Sequence, residues 1–403
     1  MNSLFIGLIL GYIILWSKLA LDDTFNLVKT TDFTAFYTAA KILLSSSRHL
    51  LYDLDTQAHT QQTLIYPIIF KDGLLPYNYP PFFVVMFLLL AYLPLGCAYL
   101  TWVSFNVFIM VMTLLILQRH LRDLFSQAGI TIFLGAFSFF PFFAALIKGS
   151  TPVLALLILT GTFILLKRSA DYLAGATLAL GLYKPQLIIL LLAIIVFKRR
   201  WKTFLGFGFV SGLLALISLV SVGWDGIMGY IKITILTATW HNQFGIYPER
   251  MSNLKGFFYS LFNDHHFSLV CVVISSLILL YLLILIWRGN WQPHLPNFDL
   301  QFALTLIITL LVSPHLNDHD LSLLILPGIL IANYSLQGGQ YGINQKFLIG
   351  MVLGGSLIPL INHFFYNIIP IQINVVLMVL LTGALTSEIL SRTRLEGEKT
   401  LIK

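Results

Sequence analysis

Residues 98–117 read AYLTWVSFNVFIMVMTLLIL, twenty consecutive positions without a charged side chain. A helix of that length rises about 30 Å, which is the thickness of a bilayer's hydrocarbon core. Working outward from it, eleven further apolar runs are found near 3–21, 129–147, 152–166, 170–183, 185–197, 203–222, 267–287, 300–313, 320–335, 347–365 and 371–391. Across all 403 residues 58% are hydrophobic and 10% charged, against about 25% charged in an ordinary soluble domain. The fold class predicted is therefore an all-α polytopic membrane protein with about 12 transmembrane helices. Residues 2–21 do not read as a cleavable signal, because Lys18 and Asp22-Asp23 follow without a small-residue cleavage pattern. Cys97 and Cys271 are too few for a disulfide scaffold or a thiolate metal cage. The net charge of +7 is scattered between apolar runs instead of lying along one polar face, which argues against nucleic acid as a partner.

Charge also predicts orientation. If the apolar segment 81–95 is embedded without crossing, one side collects 14 of the 24 cations and six of the 17 acids, among them Lys167, Lys198, Arg199, Arg200, Lys202 and Arg288. The positive-inside rule puts that side, with both termini, in the cytoplasm. The loops rich in acids and histidine then face outward. The chain divides into 1–222, containing a first outer loop at 22–97, a second large outer loop at 223–266, and the helices of 267–403. In the first loop Phe33, Phe36, Tyr37, Ala40, Leu43 and Leu44 recur at helical spacing, predicting an interfacial amphipathic helix lying on the outer leaflet. A second helix is expected over 54–71, after which Pro76, Pro80 and Pro81 turn the chain. No fixed-period repeat is evident.

Ionisable residues pressed against a bilayer mark the candidate chemistry. Asp32 begins the amphipathic helix; as an N-cap it would satisfy orphan N–H groups, and as a general base it would take a proton from an acceptor hydroxyl. The stretch Ser313-Pro314-His315-Leu316-Asn317-Asp318-His319-Asp320 crowds four ionisable groups into six residues between two apolar runs. Caps for the next helix or a metal set are the plainer accounts of it. Lys184-Pro185 and Lys148-Gly149 interrupt apolar stretches, and each lysine either snorkels to headgroups or supplies charge to a phosphate, with Arg250 and Lys255 as further candidates. Trp240 and its polar neighbours could stack against a sugar, although headgroup-level aromatics are common. No Walker or Rossmann glycine loop is present, which disfavours direct use of a nucleotide or nucleotide sugar.

The order of motifs Asp32-Phe33, Phe36-Tyr37-Thr38-Ala39-Ala40, Leu51-Tyr52-Asp53, Gln57 and Pro76-Tyr77-Asn78-Tyr79-Pro80-Pro81 resembles glycosyltransferase family 87, of the GT-C superfamily, whose members include polyprenol-phosphate-mannose-dependent mannosyltransferases. Gly149 falls at the family's Gly-Gln turn, Lys184-Pro185 at its Lys-Pro break, Lys198-Arg199-Arg200-Trp201 at its basic-Trp turn, and Ser313-Pro314-His315 with Asp320 at its late outer motif. Ser150 departs from the usual Gln. The resemblance implies an inverting transfer of a hexose such as mannose from a polyprenyl-phosphate donor to a glycolipid or cell-envelope glycan acceptor, on the extracytoplasmic side among membrane lipids. It implies Asp32 as base with His315 as partner. Lys184, Lys148 and Arg250, in that order, would hold the donor phosphate. Substrate contacts would come from Tyr37, Tyr77, Tyr79, His319, Asp320 and Trp240. Some GT-C enzymes hold a divalent metal through acids in the second outer loop. Gly149-Ser150-Thr151 offers no carboxylate there, so neither metal nor other cofactor is expected. A polytopic transporter or flippase would also use buried Lys and His, but such folds tend to show internal repeats. A non-catalytic scaffold would leave Asp32 and His315 free to vary.

Overall fold

The computed structural model describes residues 1–70, 72–262, 264–336, 354, 357–362 and 371–401, with side chains of 19–27 and 392–401 left aside. The expected span at 347–365 lies mostly outside the described residues. Among them the architecture is helical without strands. In chain order the helices are α1 (Asn2–Lys29), α2 (Asp32–Leu44), α3 (Leu54–Ile65), α4 (Pro81–Val84), α5 (Leu95–His120), α6 (Arg122–Ser138), α7 (Phe140–Lys148), α8 (Pro152–Lys167), α9 (Asp171–Ala179), α10 (Ile189–Phe197), α11 (Trp201–Thr237), α12 (Leu254–Leu261), α13 (His265–Ile286), α14 (Pro296–Val312), α15 (Ile325–Leu336) and α16 (Ile373–Leu401). Single 3₁₀ turns punctuate them.

Length and composition allow five membrane crossings among the described residues: α5, α11, α13, Asp318–Leu336 and Ile373–Ser391. A sixth is gained if α6 and α7, bent by 47° at Phe139, count as one. The twelve expected runs thus exceed the full-length helices. One reason is visible at Lys184-Pro185, where proline bars helical geometry at the residue before it and splits 170–197 into two nine-residue helices, α9 and α10. Each rises only about 13 Å. α8 and α14 form the centre, the latter buried at nearly every position from Phe298 to Leu311. By contrast α11 and α13 expose Phe209, Val220, Trp224, Val273, Ile274 and Leu277, an apolar surface of a kind that faces lipid, not water. The chain is an all-α polytopic membrane protein. α9 and α11 cross closely because a Cβ on Gly175 would lie 1.8 Å from the Thr203 carbonyl oxygen and one on Gly206 2.1 Å from that of Tyr172.

Three local expectations change. α2 forms from Asp32 as its stripe predicts, yet Phe33 through Ala40 are all buried, so it is a core helix and not a surface one. The following loop covers it: Phe36 stacks on Phe87 at 4.8 Å, and the Tyr37 hydroxyl donates to the Leu93 carbonyl at 2.7 Å. α3 ends at Ile65, short of residue 71, and its Gln61 and Gln57 side chains accept from the Leu75 and Tyr77 N–H groups at 2.7 and 2.8 Å. Residues 81–95, expected not to cross, fold as α4 and two 3₁₀ turns with no helix long enough to cross, and so are not among the three. Finally α11 does not stop at residue 222; it bends at Gly223 (φ 72°, ψ −177°), a backbone conformation open essentially to glycine, and continues to Thr237.

Candidate active site

A cavity of about 420 Å³ opens where the first loop, the Lys184 break, the far end of α11 and the turn after α14 meet. That volume suits a small ligand. Asn78, Tyr79 and Pro80 enter from the first loop, held there by the α3 glutamines. Tyr183, Lys184 and Gln186 come from the break between α9 and α10, Tyr230 and Thr234 from α11, Trp240 and Phe244 from the loop beyond, and Lys255 from α12. Pro314, His315, Asn317 and His319 complete the wall. Asp32 is the single carboxylate on it among the described residues, with its side chain 37% exposed.

Asp32 is positioned by two elements besides its own. The Ser150 hydroxyl donates to Asp32 Oδ2, and His319 Nε2 stands 3.9 Å from the same oxygen. Ser150 follows Gly149, whose left-handed conformation (φ 58°, ψ 32°) closes the C-terminus of α7. A Cβ at Gly149 would meet Phe33 Cβ at 2.7 Å, so glycine there lets the turn close on the first turn of α2. His319 is buried and also lies 3.8 Å from Asp320 Oδ1, while its Nδ1 has no hydrogen-bond partner among the described residues. Asp320 is sealed behind the wall. Its Oδ1 accepts from Lys184 Nζ at 2.6 Å and its Oδ2 from the Asn317 N–H at 3.1 Å, the latter as half of a capping box on the 3₁₀ turn Asp318–Leu324.

Electrostatics follow from burial. Enclosure pushes His315 down to about 4, opposed by the nearby Asp320 carboxylate, so at neutral pH its ring is uncharged. Its Nε2 lies 3.4 Å from Asn317 Nδ2. Burial likewise lowers Lys255 and raises Tyr79. The basic side chains on the wall are Lys184 and Lys255, which share a partly enclosed space with one carboxylate, where charge interactions exceed their strength in water. Such a site can hold an anionic group and accept a proton.

Of the residues expected from sequence, Asp32, Lys184, His315, Tyr79, His319 and Trp240 reach the cavity, and Asp320 stands directly behind Lys184. Lys255, a further phosphate candidate, lines it as well, whereas Tyr37, Tyr77, Lys148 and Arg250 do not. Tyr37 is spent on Leu93, and Tyr77 is buried with its hydroxyl on the Pro80 carbonyl at 3.1 Å. Lys148 ends α7 off the wall, and Arg250 is exposed with its guanidinium 5.4 Å from the Tyr247 ring. The partner placed beside Asp32 is His319 and not His315, because the 3₁₀ turn carries His319 inward. Gln186, Tyr183 and Tyr230 carried no motif; a Lys-Pro break flanked by Tyr and Gln was the one signal for the first two.

The sequence profile of glycosyltransferase family 87 matches residues 77–314, more than half of the chain. Comparison with curated proteins and with solved structures gives no match. The matched segment contains the Gly149 turn, Lys184 and Lys255, whereas Asp32 lies well before it and His315 and His319 just after it. With this match over a helical membrane architecture, the chain belongs to glycosyltransferase family 87 and is a membrane glycosyltransferase.

Proposed function

We propose that the enzyme transfers a hexose from a polyprenyl-phosphate donor to a lipid-linked or cell-envelope acceptor, on the extracytoplasmic face, by a single displacement that inverts the anomeric carbon. The carrying observation is one half-exposed carboxylate, Asp32, sharing a cavity wall with Lys184 and Lys255. In this reading Asp32 takes the proton of the acceptor hydroxyl as its oxygen attacks the anomeric carbon. The lysines stabilise charge developing on the departing lipid phosphate. Against the cost of burial, Lys184 keeps its proton because the Asp320 carboxylate behind it favours the charged ammonium. Tyr79, Tyr183 and Trp240 offer flat faces to the sugar's C–H surfaces. The extracytoplasmic assignment is supported by the clustering of Arg and Lys around the opposite ends of α8, α10 and α13. Mannose is the sugar that the family resemblance favours.

Two lysines supply the positive charge in this mechanism, so no metal ion is needed. The test is reconstitution of the purified protein in liposomes with a panel of polyprenyl-phosphate hexoses and glycolipids. An inverted product that forms equally in chelator and in manganese supports the reading; a retained configuration, or turnover abolished by chelator and restored by manganese, overturns it.

A further inference from the structure

The turn that carries Ser150 is fixed more firmly than the end of a nine-residue helix requires. From α5 the Tyr99 hydroxyl donates to the Ile147 carbonyl at 2.8 Å, and Trp102 Nε1 donates to the Gly149 carbonyl at 2.8 Å. The Ser150 N–H closes on the Ala145 carbonyl at 2.9 Å, and Gly149 is wedged against Phe33. What this scaffold presents is the Ser150 hydroxyl. The residue is 2% exposed and donates to Asp32 Oδ2.

A carboxylate on its own rotates broadly about its last torsion, since that angle has no deep staggered wells. Catalysis by proton abstraction needs it held, and a misplacement of about 1 Å can lower a rate about 100-fold. We propose that Ser150 is a positioning residue for the transfer reaction: its hydroxyl pins Asp32 Oδ2 and leaves Oδ1 as the oxygen that receives the acceptor's proton. The proposal rests on Asp32 being the base. His319 cannot replace the serine, because its Nε2 is 3.9 Å away, beyond hydrogen-bond range.

Ser150→Ala and Ser150→Cys test it in liposomes, with the donor and acceptor that support wild-type turnover. Cysteine keeps the side chain's shape with a larger terminal atom and is a weak donor, so beside the smaller alanine it separates the hydrogen bond from packing. Both variants are expected to lose about tenfold or more in kcat, with KM for donor and acceptor unchanged and the thermal midpoint of Ser150→Cys close to wild type. Wild-type kcat in either variant, or a loss that appears in KM alone, overturns the proposal. Asp32→Asn, measured alongside, separates the two ideas: if it is inactive while Ser150→Cys is fully active, only the serine's role fails.

Discussion

Two Lys–Asp pairs with buried aspartates sit at opposite ends of the same central helices. At one end Lys184 Nζ meets Asp320 Oδ1 at 2.6 Å; at the other, Lys167, which closes α8, meets Asp299 Oδ1 of α14 at 2.6 Å. Each aspartate has a second donor, the Asn317 N–H in the first case and Asn333 Nδ2 in the second, both at 3.1 Å. By distance they are twins, and both aspartates are buried, although Lys167 is only partly so. They differ in what surrounds them: Lys184 lines the cavity along with Asp32, His315 and His319, whereas Lys167 is off the cavity and beside the Phe163 ring. An ion pair therefore says little about function until its neighbours are known, and a buried pair is weak support for stability as well.

Breaking each pair should separate the two roles. Lys184→Met is expected to lower turnover by at least about 100-fold, as loss of a preorganised donor does. Lys167→Met should leave turnover per folded molecule unchanged. Both strand a buried aspartate, so both should destabilise by about 3–5 kcal/mol. Removing the second partner sharpens the contrast: Lys167→Met/Asp299→Leu should regain stability with full activity, while Lys184→Met/Asp320→Leu regains stability and stays inactive. Thermal midpoints and turnover of the four proteins measure this.

The sequence announced these pairs unequally. Lys184 stood out because a lysine and a proline interrupt an apolar run, and Asp320 because it closes a crowded acidic turn. That they meet across 136 residues needed the fold. His315 and His319 are four residues apart, and choosing between them required the turn type, since a 3₁₀ turn rotates its side chains by about 120° per residue where an α-helix uses about 100°. α2 read as a surface helix because its own stripe is apolar and its polar positions are Thr34, Thr38 and Lys41. Nothing in thirteen residues tells that a loop about 40 residues later will pack on Phe36 and Tyr37 and close the helix into the core. The apolar run ends at residue 222 and the following stretch reads as loop, yet at Gly223 the chain bends and resumes its helix.

His315 extends the comparison to pH. Its folded ring holds a proton only below about 4, whereas an unfolded histidine does so below about 6.5. Between those values the unfolded chain binds the extra proton, so this contribution to stability is complete above about 6.5 and falls as pH drops toward 4. His315→Gln should flatten that part of the acid slope in a melting series, and an unchanged slope would show that the ring is not enclosed as described. The smallest effect is expected at Arg250, a cation exposed to solvent and off the cavity wall: Arg250→Ala should keep turnover within about 2-fold of wild type. A loss like that of Lys184→Met would bring Arg250 into the phosphate site.

The central claim is that Asp32 takes the acceptor's proton. It is tested most directly by transfer assays on Asp32→Asn in liposomes beside wild type, with donor binding and thermal midpoint measured on the same samples. The account predicts a fall in turnover of at least about 100-fold with donor binding and midpoint preserved. Wild-type turnover by the asparagine variant would contradict it.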